Sequence, residues 1–160
     1  PQQAGQETDG ASFTAAPRCF EARATEPRPM TPSGCIVGLG VDAVDIPDCL
    51  RLMSLAGSKH LDRYFTVREL AEIGHGARQV ERVAGRLALK EAVMKALGVG
   101  WGDGVAFTDV ETVSKDSGAP AVVLHRRLSA LAKERSIGRW LVSMSHTSSV
   151  AIASVVGVAA

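Results

Sequence analysis

The chain has 160 residues, 46% of them hydrophobic, and a net charge of +1. That is enough for one domain with a real core, and too little charge for a global field that recruits nucleic acid or an anionic membrane. Aromatic residues make up only 4%, without the aromatic–basic interleaving that stacks single-stranded bases, and the three cysteines are scattered with no C-x-x-C pair, which argues against a disulfide framework or a zinc site and fits a reducing cytosol.

Residues 1–33 are rich in Pro, Gly, Gln, Thr, Ala and Glu and lack periodicity. They read as a flexible leader or an added extension, with Met30 a candidate natural start and the domain expected over residues 34–160. No cationic start is followed by an apolar run, so the leader is not a secretory signal. The longest apolar stretch, Val150 to Ala160, is interrupted by Ser154 and is too short to cross a bilayer, so no helical membrane span is expected.

From Cys35 to Ile46 the pattern is that of a β-branched strand. Period-two alternation puts Ile36, Gly38, Gly40, Asp42, Val44 and Ile46 on one face. Pro47-Asp48 reads as a helix start, and the helix through Leu50, Leu52, Met53 and Leu55 is expected to end at Gly57. Thr66 reads as an N-cap with Glu69 completing a capping box ahead of Leu70 and Ile73, and Gly74-His75-Gly76 breaks that helix.

The longest helix is expected over about Gln79 to Leu97. Val80, Val83, Ala84, Leu87 and Met94 form one stripe, while Leu89, Val93 and Leu97 cover much of the opposite side, as in a central, buried helix. Gly98-Val99-Gly100 ends it, followed by Trp101-Gly102-Asp103-Gly104. A strand follows over Val105 to Val113, then a turn at Asp116-Ser117-Gly118 and a short strand from Ala121 to Leu124. Leu128, Leu131 and Ala132 suggest a helix ending near Gly138. Trp140–Ser145 and Val150–Val156 read as the arms of a final hairpin joined by His146-Thr147-Ser148-Ser149. With neither a steady βαβ alternation nor a repeat, the order points to α+β.

Glu91 is the sharpest candidate for chemistry. It falls inside the Val80–Ala84–Leu87–Met94 stripe, where a carboxylate is costly unless paired or bound to metal. The competing structural reading is an i,i+4 pair with Lys95 on a solvated face. Asp42 shares its strand face with Gly38 and Gly40, bare positions that let a ligand or another backbone come close; its structural reading is a strand-end turn cap. Together Asp42 and Glu91 make a plausible hard-metal site, since magnesium takes one or two carboxylates and fills its remaining positions with water and phosphate oxygens. Lys90, Lys95 and Arg86 lie on the same helix and suit phosphate neutralisation, with surface solubility the better reading for Lys90. His146 ends a strand amid Ser143, Ser145, Thr147 and Ser148, which offer hydroxyl donors to a phosphate. His60, His75 and His125 lie in polar settings with no assigned role. The glycines of 98–104 match neither a Walker loop nor a dinucleotide fingerprint.

Taken in order, five segments resemble the holo-acyl-carrier-protein synthase family of 4′-phosphopantetheinyl transferases. They are Val37-Gly38-Leu39-Gly40-Val41-Asp42, Arg63-Tyr64-Phe65-Thr66-Val67-Arg68-Glu69-Leu70, Ala84 to Ala92 with Lys95-Ala96-Leu97-Gly98, Asp109-Val110-Glu111 with Asp116 to Pro120, and Val142-Ser143-Met144-Ser145-His146-Thr147. The resemblance covers roughly Cys35 to the C-terminus. It implies a small α+β domain, a small antiparallel sheet on a long central helix, assembled as a homotrimer with each site at a subunit boundary. It also implies transfer of the 4′-phosphopantetheine arm of coenzyme A to a serine of an apo acyl carrier protein, with release of 3′,5′-ADP. By that resemblance Asp42 and Glu91 hold Mg²⁺, Glu91 takes the serine proton directly or through a metal-bound water, Lys95 faces the phosphates, His146 joins Glu91 and Lys95 as a catalytic candidate, and His146, Ser145 and Arg86 belong to the coenzyme A pocket. Two departures stand out. Leu87 replaces a frequent aromatic, and Asp48 stands where many members carry a basic residue, leaving Arg51, Lys59, Arg63 and Arg68 as the expected carrier-docking face. A non-catalytic carrier-binding scaffold is the main competing reading, and retention of Asp42, Glu91 and Lys95 weighs against it. Another magnesium-dependent nucleotide enzyme would need a phosphate or base-recognition loop that the sequence lacks.

Overall fold

A computed structural model describes residues 34–56, 58–100 and 102–160. The leader of residues 1–33, Gly57 and Trp101 lie outside them, and so do the side chains of Leu55, Ala56, Ser58 and Lys59. In chain order the elements are β1 (Ile36–Asp45), α1 (Ile46–Ala56), a 3₁₀ turn (Ser58–Arg63), α2 (Val67–Ile73), α3 (Gln79–Ala96), a second 3₁₀ turn (Phe107–Asp109), β2 (Val110–Ser114), β3 (Pro120–Leu124), α4 (Arg126–Glu134), β4 (Ile137–His146) and β5 (Val150–Ala159).

The expected final hairpin forms, with arms longer than the sequence marks. It takes β1 on its free side to give an antiparallel sheet ordered β1-β5-β4, while β2 and β3 form a separate two-stranded ribbon. Ala151, Ala153, Val155 and Val158 of β5 are buried, and α3 lies across this face with Val83, Ala84, Ala88, Leu89, Ala92 and Val93 fully enclosed. Being apolar on two sides, α3 has the sheet on one flank and α1, α2 and β2 around it, which is what two hydrophobic stripes demand.

Two glycines set the distance between β1 and α3. A β-carbon on Gly40 would lie 1.8 Å from the carbonyl oxygen of Ala92, and one on Gly38 would lie 2.7 Å from that of Ala96. What the bare positions admit is thus another backbone. Because Asp42 follows on the same face of β1, this contact carries its carboxylate to the C-terminal end of α3.

The α2 cap is as read. Glu69 N donates to Thr66 Oγ1, and Thr66 N donates to the Glu69 carboxylate at 2.9 Å. Gly74 and Gly76, both at positive φ, turn the chain into α3.

Besides the end of α4, which falls at Glu134 rather than near Gly138, a residue of β4, two expectations need correction. The strand expected from Val105 begins only at Val110, because residues 107–109 tighten into a 3₁₀ turn. Ala106 N donates to Asp109 Oδ2 at 3.1 Å, and the carbonyls of Phe107 and Val110 converge on Lys90 Nζ, which a straight strand would not allow. Lys90 itself is the second correction. It is fully buried rather than a surface residue, and its ammonium is completed by those two carbonyls and by Glu69 Oε2 at 2.7 Å. Burial pulls its pKa down, and the charge and hydrogen bond of Glu69 push back. Glu69 is satisfied in turn by Thr112 N at 2.9 Å. This buried ion pair ties α2, α3 and β2 together.

Candidate active site

Asp42, Glu91 and Lys95 come together at the C-terminal end of α3. Asp42 Oδ1 accepts a hydrogen bond from Lys95 Nζ at 2.7 Å, in a pair whose carboxylate is largely shielded and whose ammonium is half exposed. The Lys95 pKa is raised, chiefly by that hydrogen bond, then by the Asp42 charge, with Glu91 one helical turn back adding to it. Glu91 is half-buried. Lys95 thus bonds Asp42 directly and also feels the charge of Glu91.

Arg86, Ser145 and His146 assemble elsewhere. They line a cavity of about 460 Å³ with Arg78, Glu81, Arg82, Gly85, Gly118, Pro120 and Met144. This cavity draws on the first turns of α3, the turn before β3 and the end of β4. Arg86 is buried and donates to Glu72 Oε2 at 3.0 Å, while Glu72 also accepts from Ser114 Oγ. Arg82 is held to the α2–α3 connection through the carbonyls of Ile73 and His75, at 2.6 and 3.2 Å. His146 is exposed, and its Nδ1 lies 3.3 Å from the Thr147 carbonyl.

The two groups do not share a cavity within one chain. Asp42, Glu91 and Lys95 are not among the residues lining the pocket. At about 100° per residue, Glu91 lies about 180° around α3 from Arg82, and Lys95 about 180° from Arg86. The protein carries an acidic–lysine half-site and an arginine–histidine half-site on opposite sides of its central helix.

Sequence reasoning missed Arg78, Glu81 and Arg82. The signal was present in the run of charges that opens α3, but nothing local aims those side chains into a cavity that also needs β4 and the β2–β3 turn. It missed His125 as well. His125 Nε2 lies 2.7 Å from Glu111 Oε2, and Thr66 Oγ1 donates to Glu111 Oε1 at 3.0 Å. This chain links the cap of α2, β2 and the start of α4. Of the expected basic face, Arg51, Arg63 and Arg68 are exposed. Arg51 is paired with Asp48, and Arg68 lies 3.5 Å from Glu72. No helix among the described residues is long and apolar enough to cross a membrane.

A long central helix against a three-stranded antiparallel sheet, with a two-stranded ribbon beside it, defines a small α+β domain. Residues 38–153 match the model of the 4′-phosphopantetheinyl transferase superfamily, and the chain belongs to that family of transferases. Among its relatives are the holo-acyl-carrier-protein synthases of Solibacter usitatus, 35% identical over 76% of this chain and 97% of that protein, and of Geobacter sulfurreducens, 38% identical over 76% and 96%. The fold is that of solved holo-acyl-carrier-protein synthases. The Neisseria meningitidis enzyme aligns with a TM-score of 0.70 at 32% identity, covering 77% of this chain and 98% of that one. The Bacillus anthracis enzyme, solved in complex with CoA (3′,5′-ADP), aligns with a TM-score of 0.65 at 31% identity, covering 78% and 98%.

Proposed function

We infer that this chain is a holo-acyl-carrier-protein synthase. It transfers the 4′-phosphopantetheine arm of coenzyme A to a serine of an apo acyl carrier protein and releases 3′,5′-ADP. The observation that carries the reading is the convergence of Asp42 and Glu91 on the Lys95 ammonium.

That donor set fits Mg²⁺. Both groups are hard carboxylate oxygens. Magnesium suits such a site, because it keeps several waters and takes the rest of its shell from phosphate oxygens. When bound, Mg²⁺ supplies positive charge to the pyrophosphate. The protein's own groups do the remainder. The carrier serine oxygen attacks the β-phosphorus of coenzyme A, and the bond from that phosphorus to the bridging oxygen of the pyrophosphate breaks. The electron pair leaves on 3′,5′-ADP, and the serine proton passes to Glu91. Lys95, solvent-facing, turns to the phosphates and offsets charge that grows on the leaving group. Arg86, Ser145 and His146 hold the nucleotide end of coenzyme A in the arginine-lined cavity.

Because the two half-sites lie on opposite sides of α3, one complete site takes its carboxylates from one subunit and its cavity from the next. A homotrimer supplies that arrangement. The sheet face turned away from α3 supports it, since Leu39 (66% exposed), Val41, Leu141 and Ile152 leave an apolar strip in water, unusual for a monomer. The carrier, an acidic protein, docks on Arg51, Lys59, Arg63 and Arg68, and the reaction belongs to the cytoplasm.

Mixing the protein with coenzyme A, Mg²⁺ and candidate apo carriers, then weighing the carriers by mass spectrometry, tests the reading. A carrier heavier by one phosphopantetheine is expected. No modified carrier across fatty-acid, polyketide and peptide-synthetase types would overturn it.

A further inference from the structure

Two acid–base pairs join α2 to α3 as successive rungs. Glu69 and Glu72 are three residues apart on α2, and Lys90 and Arg86 are four apart on α3, so each helix presents its two charges one turn from each other. Lys90 Nζ lies 2.7 Å from Glu69, and a terminal nitrogen of Arg86 lies 3.0 Å from Glu72. The rungs differ in what they border. The first is wholly enclosed, whereas Arg86, its side chain 8% exposed, also lines the cavity at the start of α3.

Arg86 is a costly group to keep there. A guanidinium stays charged at physiological pH, and burying one without a partner is strongly unfavourable. Lys90 aggravates this as a second buried cation, close enough that the Arg86 charge helps to lower its pKa. Arg86 Nε is shielded and has no hydrogen-bond partner among the described residues. The guanidinium is held instead through its terminal nitrogen, which donates to Glu72 Oε2. Glu72 is fixed in its turn. The same Oε2 accepts from Ser114 Oγ of β2 at 3.0 Å, and Oε1 lies 3.5 Å from Arg68 Nε, one turn back on α2. Without that carboxylate Arg86 is unpaired and repelled by Lys90, and its long side chain turns towards solvent.

We propose that Glu72 is the positioning residue for Arg86, its carboxylate fixing the guanidinium at the cavity wall in readiness for coenzyme A. Glu72 is not among the residues that line the cavity, so it acts through Arg86. The proposal rests on assigning this cavity to coenzyme A. The requirement is an acceptor at the right reach. Gln has the length of Glu and carries an acceptor oxygen, so it keeps the bond in a weaker, uncharged form, whereas Met keeps the bulk and accepts nothing of use.

The test is calorimetric titration of the full-length protein with coenzyme A, which needs no carrier, beside the kcat of transfer at saturating coenzyme A. Glu72→Met is expected to weaken coenzyme A binding by at least about tenfold, the worth of one charge-assisted hydrogen bond, with kcat unchanged. Glu72→Gln should restore most of the affinity. The deciding measurement is the cycle with Arg86→Ala. Once Arg86 is gone, Glu72→Met should cost nothing further. Equal losses from Glu72→Met in both backgrounds overturn the proposal, since Glu72 would then act on the fold or the ligand without Arg86. So does wild-type affinity in Glu72→Met, or a loss that falls on kcat alone. If Glu72→Met does not fold, Glu72→Ala takes its place in the cycle with the same expectations. If Arg86→Ala binds coenzyme A as tightly as the wild type, the assignment of the cavity fails, whatever Glu72 does, and the proposal falls with it.

Discussion

Gly40 of β1 and Ala92 of α3 are in backbone contact so close that no side chain fits between them, a β-carbon on Gly40 falling 1.8 Å from the Ala92 carbonyl oxygen. Asp42 reaches Lys95 because of it. Gly40→Ala is expected to destabilise the protein by about 3 kcal/mol, at the upper end for an overpacked core, and to lower transfer activity further by moving Asp42. Urea unfolding and the carrier assay measure the two effects separately. A variant of wild-type stability would mean that α3 can slide on the sheet.

Replacing either Asp42 or Glu91 should separate chemistry from folding. Glu91→Gln and Asp42→Asn are each expected to cut transfer by about 10²-fold or more, with circular dichroism unchanged and the melting temperature lowered at most modestly, by the weakened Asp42–Lys95 pair in the second variant. Chelation with EDTA should stop the wild-type reaction and added Mg²⁺ restore it. Transfer undiminished in Glu91→Gln, with only carrier affinity lowered, would remove Glu91 from the chemistry.

Complementation distinguishes a site within one chain from a site shared between two. Glu91→Gln and His146→Ala, each impaired alone, should regain activity when co-refolded, because random assortment pairs an intact carboxylate half with an intact cavity half at about a quarter of the subunit boundaries. Absence of any recovery, with mixed assemblies confirmed by mass spectrometry, would place both halves of each site on one subunit.

The Lys90–Glu69 pair should behave as a buried ion pair does when one partner is lost. Lys90→Met is expected to cost roughly 3–5 kcal/mol, because Glu69 is left charged and enclosed. Adding Glu69→Leu should recover only part of this, since the backbone N–H groups of Thr66 and Thr112 lose their acceptor. Denaturant midpoints of the single and double variants decide it.

Glu111 gives a pH signature. Burial pushes its pKa up, but hydrogen bonds from His125 and Thr66 and the charges of His125 and Arg68 outweigh that and hold it below its ordinary value of 4.5. A depressed carboxyl contributes stability that is complete above the unfolded value and is lost as pH falls through the native one. The wild type should therefore lose stability on acidification below about pH 4.5, and Glu111→Gln should show a flatter acid limb in unfolding measured against pH. Parallel limbs would mean that the pair is not formed in solution.

The sequence made the framework legible wherever local chemistry decides it. The Thr66–Glu69 box, the glycine stop after α2, the two-sided apolar pattern of α3 and the final hairpin all follow from neighbours a few residues apart. Asp42 and Glu91 stood out because each interrupts a pattern. What escaped depends on groups far apart in the chain. Lys90 looks like any helix-surface lysine until the carbonyls of Phe107 and Val110 and the carboxylate of Glu69 are known to surround it. Arg82 looks like any solvated arginine until the cavity it lines with β4 and Pro120 is known. A buried charge and a binding pocket are properties of several segments at once, and no window on the sequence contains them.

The central strand of the three-stranded sheet, β5, is the last to leave the ribosome. β1 leads the domain and bonds only to β5 in that sheet, so its open edge waits while more than a hundred residues are synthesised. Sequence separations of this size slow folding. For the whole of that interval Asp42 has no fixed place and the strip of Leu39 and Val41 is bare, an edge open to pairing with other chains until the final strand slots between the other two.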